Sequence, residues 1–204
     1  MPRSLSSSRM EAFSDGVFSI AATLLVLDIA LHPPGTPLEQ LRHAWPAYLG
    51  YVISFLTIGA AWLVHSALTD RLTRADSLLL RINLMLLLVV AFLPFPTKLI
   101  ADALHDANAE RVYVTLYGLT LLTIRLLGSA LDWYARHERL YSHDQADEEL
   151  QTDRRKLWPV VVGYVVAILI GVAAPTAGVM LYLVLAVYIV VPFRDLRRLA
   201  FTRS

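Results

Sequence analysis

Cysteine is missing from all 204 residues, which excludes disulfides, thiolate metal sites and cysteine nucleophiles. Net charge is almost missing as well: 18 basic against 17 acidic side chains leave +1. A dedicated nucleic-acid binder would concentrate a basic face, so nucleic acid is not an expected partner. Polar surface is scarce. At 56% hydrophobic residues and a mean hydropathy of +0.54 the chain is too apolar for an ordinary soluble domain. The first apolar segment is too long for a cleavable leader and lacks a small-residue cleavage site. It is read as a retained helix.

Catalytic and energising signatures are missing too. No GxxxxGK[ST] loop is present to cradle nucleotide phosphates. Neither HExxH nor GxSxG occurs, which removes the commonest zinc and serine hydrolase chemistries. No nucleophile and base are paired in a recognisable spacing, so no enzyme activity and no cofactor are expected. The carbonyl-filter sequence TVGYG is absent, and no re-entrant loop is long enough to build one. Any conducting path must therefore be lined by side chains of a spanning helix.

What the chain does have is apolar length. A span needs roughly 20 mostly apolar residues to cross about 30 Å of hydrocarbon. Six segments are read as spans: Phe13–Leu31, Ala47–Leu68, Leu78–Ile100, Val112–Leu131, Trp158–Ala174 and Gly178–Phe193. The fold class is all-α, a polytopic membrane protein whose residues 1–204 form a single transmembrane domain without a separate soluble one. His32-Pro33-Pro34-Gly35 ends the first helix, Pro94 and Pro96 bend or end the third, and Pro175-Thr176-Ala177 reads as a tight turn between the last two. With the N-terminus inside, only Arg42, Lys98 and Arg111 fall on outer segments, against fourteen inner basic residues from Arg3 to Arg203. That asymmetry places both termini in the cytoplasm. Trp45, Trp133 and Trp158 mark span ends as an aromatic belt does. Arg125, inside a span, is read as a snorkelling side chain. His137, His143, Asp144 and Glu148 share the charged stretch after the fourth span, but exposed charged helices gather such residues without binding metal.

The first helix carries the densest polar motif, Arg9-Met10-Glu11-Ala12-Phe13-Ser14-Asp15-Gly16, directly ahead of an apolar run. Polar groups at such a place need partners or water. Arg9 and Asp15 are candidates for a pair, and Trp62, His65 and Asn83 are candidate partners on the second and third spans. At about 100° per residue, Ile20, Leu24, Leu27 and Leu31 lie within about 60° of one another, and Thr23 borders them. Such a stripe either faces neighbouring helices or lines a path. Asp28 stands just beyond Leu27, to one side of it. An ion-coupled carrier is a competing reading, suggested by Asp15 and His65. It lacks the internal repeats and broken midplane helices that carriers show. A non-conducting membrane scaffold is another.

The run Arg9-x-x-x-Phe13-Ser14-Asp15 followed by Gly16 to Ile29 resembles the first helix of the endolysosomal potassium channel family, in its bacterial branch. Trp62-x-x-His65 and Asn83-Leu84 leading to Phe92-Leu93-Pro94-Phe95-Pro96-Thr97 fit the same likeness. The resemblance implies a six-span subunit assembling as a homotetramer in the cell membrane, permeable to potassium and other monovalent cations, with the first helices lining a central pore. It implies Ile20 as the narrowest hydrophobic ring, with Leu24 and Leu27 beyond it, and Thr23 as a contributor to potassium preference. Arg9, Phe13, Ser14 and Asp15 are implied to hold the pore helix, with Trp62, His65 and Asn83 beside them. Ala22 departs from the larger aliphatic residue expected there. Asp28 is read either as adding negative potential at the outer mouth, since rings of acids concentrate cations at channel entrances, or as an interfacial helix-end contact.

Overall fold

The structure, a computed structural model, describes residues 7–29, 35–103, 110–141 and 148–190, the side chains of Asp28, 101–103, Glu110 and 148–157 excepted. Among these residues the chain is helical almost throughout. In order come α1 (Ser7–Leu24), a 3-10 turn (Leu25–Asp28), α2 (Pro37–His43), α3 (Trp45–Thr69), α4 (Ser77–Phe92), α5 (Pro94–Ala103), α6 (Glu110–His137), α7 (Glu148–Ala173) and α8 (Pro175–Val190). Four stretches are long and apolar enough to cross a membrane: Ser7–Leu27, Trp45–Thr69, Ser77–Ile100 and Arg111–His137. The last two apolar helices, Trp158–Ala173 and Pro175–Val190, are shorter.

Helix ends follow local chemistry and correct several expected boundaries. The first α-helix starts at Ser7, so the whole polar motif lies on it, and its α-form stops at Leu24. Leu25–Asp28 continues as a 3-10 turn, and Leu31 and His32-Pro33-Pro34 lie outside the described residues. The third apolar segment breaks at Leu93: α4 ends at Phe92 and α5 restarts at Pro94, where a ring without an N–H fits a first helical turn. Pro175-Thr176-Ala177 is not a loop. It forms the first turn of α8, separated from α7 by Ala174 alone. That junction is tight because a Cβ on Gly178 would lie 2.6 Å from the Gly171 Cα, a distance only glycine tolerates. Of the charged residues after the fourth span, His143 and Asp144 lie outside the described residues, as does the side chain of Glu148.

The largest fully buried side chains of the core are the tyrosines Tyr117, Tyr164 and Tyr182. Tyr117 on α6 and Tyr182 on α8 pack ring to ring at 5.7 Å, and the Tyr182 hydroxyl donates to the Val114 carbonyl at 3.2 Å. The end of α6 is stitched to the α3–α4 connection. Thr73 donates to the Leu140 carbonyl through both its N–H and its hydroxyl, each at 2.9 Å. Asp76 caps α4 through the Leu79 N–H at 2.8 Å and accepts the Tyr134 hydroxyl at 2.7 Å. Partial burial pushes the Asp76 carboxyl up, but the Leu79 N–H, the Tyr134 hydroxyl, the Leu78 N–H and the Arg74 charge outweigh it and hold its pKa below the usual value.

Candidate functional site: the two faces of the first helix

The inward face of α1 presents Met10, Ser14, Phe18 and Ala21, with Leu25 following in the 3-10 turn, at spacings of three and four residues. Ser14 is the polar residue of this buried row, and its hydrogen bonds form a directed chain. The Ser14 hydroxyl donates to its own helix, to the Met10 carbonyl, at 2.8 Å. Its oxygen then accepts from the Asn83 Nδ2 at 3.0 Å. The Asn83 Oδ1 lies 2.7 Å from the His65 Nε2, and because that oxygen can only accept, the imidazole must carry its proton on Nε2. Phe18 lies over the same imidazole, ring centroids 5.3 Å apart. One serine of α1 is thus tied to α4 and α3 with every donor directed.

Asp15 points away from this chain and accepts the Trp62 indole N–H at 2.8 Å. The expected Arg9–Asp15 pair does not form within the subunit. Six residues of helix put the two side chains about 120° apart round the axis, and Arg9 is exposed, without an ion-pair partner among the described residues. Phe13 is exposed too, about a quarter turn round the helix from the buried row.

On the same side as Phe13 runs the apolar stripe. Ile20 is 60% exposed, Leu24 43% and Leu27 73%. The 3-10 turn sharpens the alignment: at three residues per turn, positions three apart eclipse, so Leu27 stands directly beyond Leu24. Thr23 borders the stripe with its hydroxyl proton shared between the Ser19 and Ile20 carbonyls at 3.1 and 3.0 Å. The residue is exposed, and with its proton so committed its oxygen can act as an acceptor. The backbone of Asp28 closes the 3-10 turn, and its side chain lies outside the described residues. Ala22 is partly buried, off the stripe.

A second polar cluster was not legible in the sequence. The Thr97 hydroxyl donates to the Leu93 carbonyl at 2.8 Å, the Ser54 hydroxyl lies 2.7 Å from Thr97, and the Tyr117 hydroxyl lies 2.7 Å from Ser54. With the Thr97 proton committed, Ser54 donates to Thr97 and Tyr117 donates to Ser54. Each is a single hydroxyl in an apolar helix, and no spacing within one helix signals a contact across three.

The sequence profile of the family described as endosomal/lysosomal potassium channel TMEM175 matches residues 9–94. The chain is similar to a protein named a potassium channel from Chamaesiphon minutus, 34% identical over 197 residues that span 92% of this chain and 95% of the relative. It is 42% identical over 131 residues to another so named from Streptomyces collinus, spanning 63% of this chain and 64% of that one. The crystal structure of a lysosomal potassium-selective channel TMEM175 homolog from Chamaesiphon minutus superposes with a TM-score of 0.79 at 32% identity, covering 90% of this chain and 95% of that chain. The motif on α1, the likeness along nearly the full length of a relative and the shared fold agree: the chain belongs to the TMEM175 family of ion channels, which are not enzymes.

Proposed function

We propose that the protein is a potassium-permeable cation channel of the cell membrane, a homotetramer of six-span subunits with both termini cytoplasmic, in which α1 of each subunit lines a central pore. The observation that carries this reading is the contrast across α1. One face is fixed to α3 and α4 by directed hydrogen bonds, while the other offers Ile20, Leu24 and Leu27 to something beyond the subunit. Closed cyclic symmetry would bring equivalent stripes to one axis. Ile20 then forms the constriction, with the Leu24 and Leu27 rings beyond it. A narrow aliphatic ring sheds water and passes ions only when it widens and wets. The exposed Thr23 supplies an acceptor oxygen that favours a weakly hydrated cation, and Asp28 adds negative potential at the outer mouth. Arg9, Phe13, Ser14 and Asp15, with Trp62, His65 and Asn83, hold the helix in register.

The test is Ile20→Asn, recorded in reconstituted bilayers at matched protein density. The polar ring stays wet, so current rises and selectivity among monovalent cations changes. Equal currents from the two proteins would remove Ile20 as the constriction. A monomer in native-like lipid would remove the central pore altogether.

A further inference from the structure

The end of α6 breaks a local rule. The Leu140 N–H bonds to the Ala135 carbonyl at 2.9 Å and the Arg139 N–H to the Arg136 carbonyl at 3.1 Å, the two bonds that close a helix through a left-handed residue. That residue is Arg139, at φ 52°, the one non-glycine with positive φ among the described residues. Glycine is the usual occupant of such a position, because a Cβ costs free energy there. The surroundings hold the strain in place. Leu140 is buried, and its carbonyl accepts both the N–H and the hydroxyl of Thr73, each at 2.9 Å. Leu72 and Tyr141 are bridged just beyond. A strained residue kept by its neighbours in this way points to function.

The side chains beside this link suggest which function. Arg139 is exposed and has no ion-pair partner among the described residues, and the same is true of Arg74. Arg139 precedes Leu140 and Arg74 follows Thr73, so the backbone link carries one free arginine on each strand. Arg136, in contrast, is spent on Asp132 at 2.7 Å. Asp132 also accepts the Tyr141 hydroxyl, and Asp76 is taken up by the Leu79 N–H and the Tyr134 hydroxyl. Asp70 and Glu138 remain as exposed acids, against Arg74, Arg139 and the half-buried Arg71. The level in the membrane is marked by Trp133, 59% exposed and stacked on His137 with ring centroids 5.3 Å apart. An exposed tryptophan at the end of a spanning helix sits at the lipid–water boundary. Arg139 follows within two turns, so its long side chain reaches the headgroup layer.

We propose that Arg139 and Arg74 form a site for the phosphate of an anionic phospholipid, in the leaflet where α6 ends. Each guanidinium presents paired N–H donors that match phosphate oxygens. Like charges on neighbouring strands repel, and a phosphate shared between them offsets that repulsion. Arginine at the left-handed position thus gives up some stability of the helix end and fixes a charge at the membrane surface. The site requires only that α6 spans the bilayer, and it is independent of what the protein conducts.

The test is native mass spectrometry of the full chain taken from nanodiscs of phosphatidylglycerol and phosphatidylcholine in equal amounts, with the melting temperature measured alongside. The wild type should retain phosphatidylglycerol in preference. Arg139→Gly should cut that preference about fivefold, the effect of one basic residue at a membrane surface. Its melting temperature should rise, because glycine relieves the left-handed position. Arg139→Lys keeps the charge and should keep most of the preference. Arg74→Gln should lower the preference as Arg139→Gly does, without the gain in melting temperature. An unchanged preference in Arg139→Gly overturns the site. A fall in its melting temperature with lipid retention unaltered would do the same, and would make Arg139 a partner of the α6 carbonyls only. Equal loss of both lipids would show that charge is not what the site reads. Displacement of the lipid by inorganic phosphate would make the ligand a free anion and overturn the lipid assignment.

Discussion

The two faces of α1 are built on opposite rules. On the inner face each hydrogen bond has a direction, from His65 through Asn83 and Ser14 to the Met10 carbonyl. On the outer face the side chains are large, apolar and left over. The inner face is complete within one subunit, whereas the outer face gains nothing until another surface meets it. Stability of the fold and permeation through it are therefore carried by different residues of the same helix, a few ångströms apart. A substitution should disturb one property and spare the other.

Asn83→Leu is the harshest way to test that division. It strips the partner from the His65 N–H and the donor from Ser14, both buried, at about 1–3 kcal/mol for each unsatisfied group. A destabilisation of about 2–6 kcal/mol is expected by thermal unfolding in detergent, with loss of the assembled protein. A normal melting curve would mean that the inner face does not hold the helix. Asp76 offers a reference away from α1. Asp76→Ala removes the cap of α4, at about 0.5–2 kcal/mol. Asp76→Asn keeps a capping oxygen and isolates the charge. Because the folded carboxyl titrates below its usual range, its extra stability is present at neutral pH and fades as pH falls through that carboxyl's titration. The wild-type and Asp76→Asn melting curves should thus converge on acidification, and a gap that widens would contradict the sign.

Trp62→Phe probes the boundary between the two faces. It deletes one hydrogen bond to a partly exposed Asp15 while keeping an aromatic ring, and about 0.5–1.5 kcal/mol is expected by the same unfolding assay. Ile20→Asn should be the mildest in stability, within about 0.5 kcal/mol as for other exposed positions, although it is the change expected to raise current most. A strong loss of stability there would place Ile20 in a packed interior and merge the two faces.

Much of this division is readable from residue order. The inward row from Met10 to Ala21 and the outward stripe at Ile20 and Leu24 follow from helical period alone, and the polar residues expected to gather (Ser14, His65, Asn83, and Asp15 with Trp62) do so. Within the subunit Arg9 stands apart from Asp15, because six residues of helix rotate the two side chains away from each other, which sequence proximity hides. The 3-10 winding after Leu24 was missed because Leu25 to Asp28 would serve an α-helix equally well. The Ser54, Thr97 and Tyr117 cluster arises from three helices meeting, and a period within one helix carries no trace of it.

The one-residue junction between α7 and α8 also has a mechanical meaning. Gly171 and Gly178 stand one on each side of it, and a Cβ on Gly178 would lie 2.6 Å from the Gly171 Cα. Two helices in backbone contact beside so short a connection have no slack between them. The pair is therefore a rigid hairpin, and a methyl added at Gly178 would wedge its arms apart at the vertex.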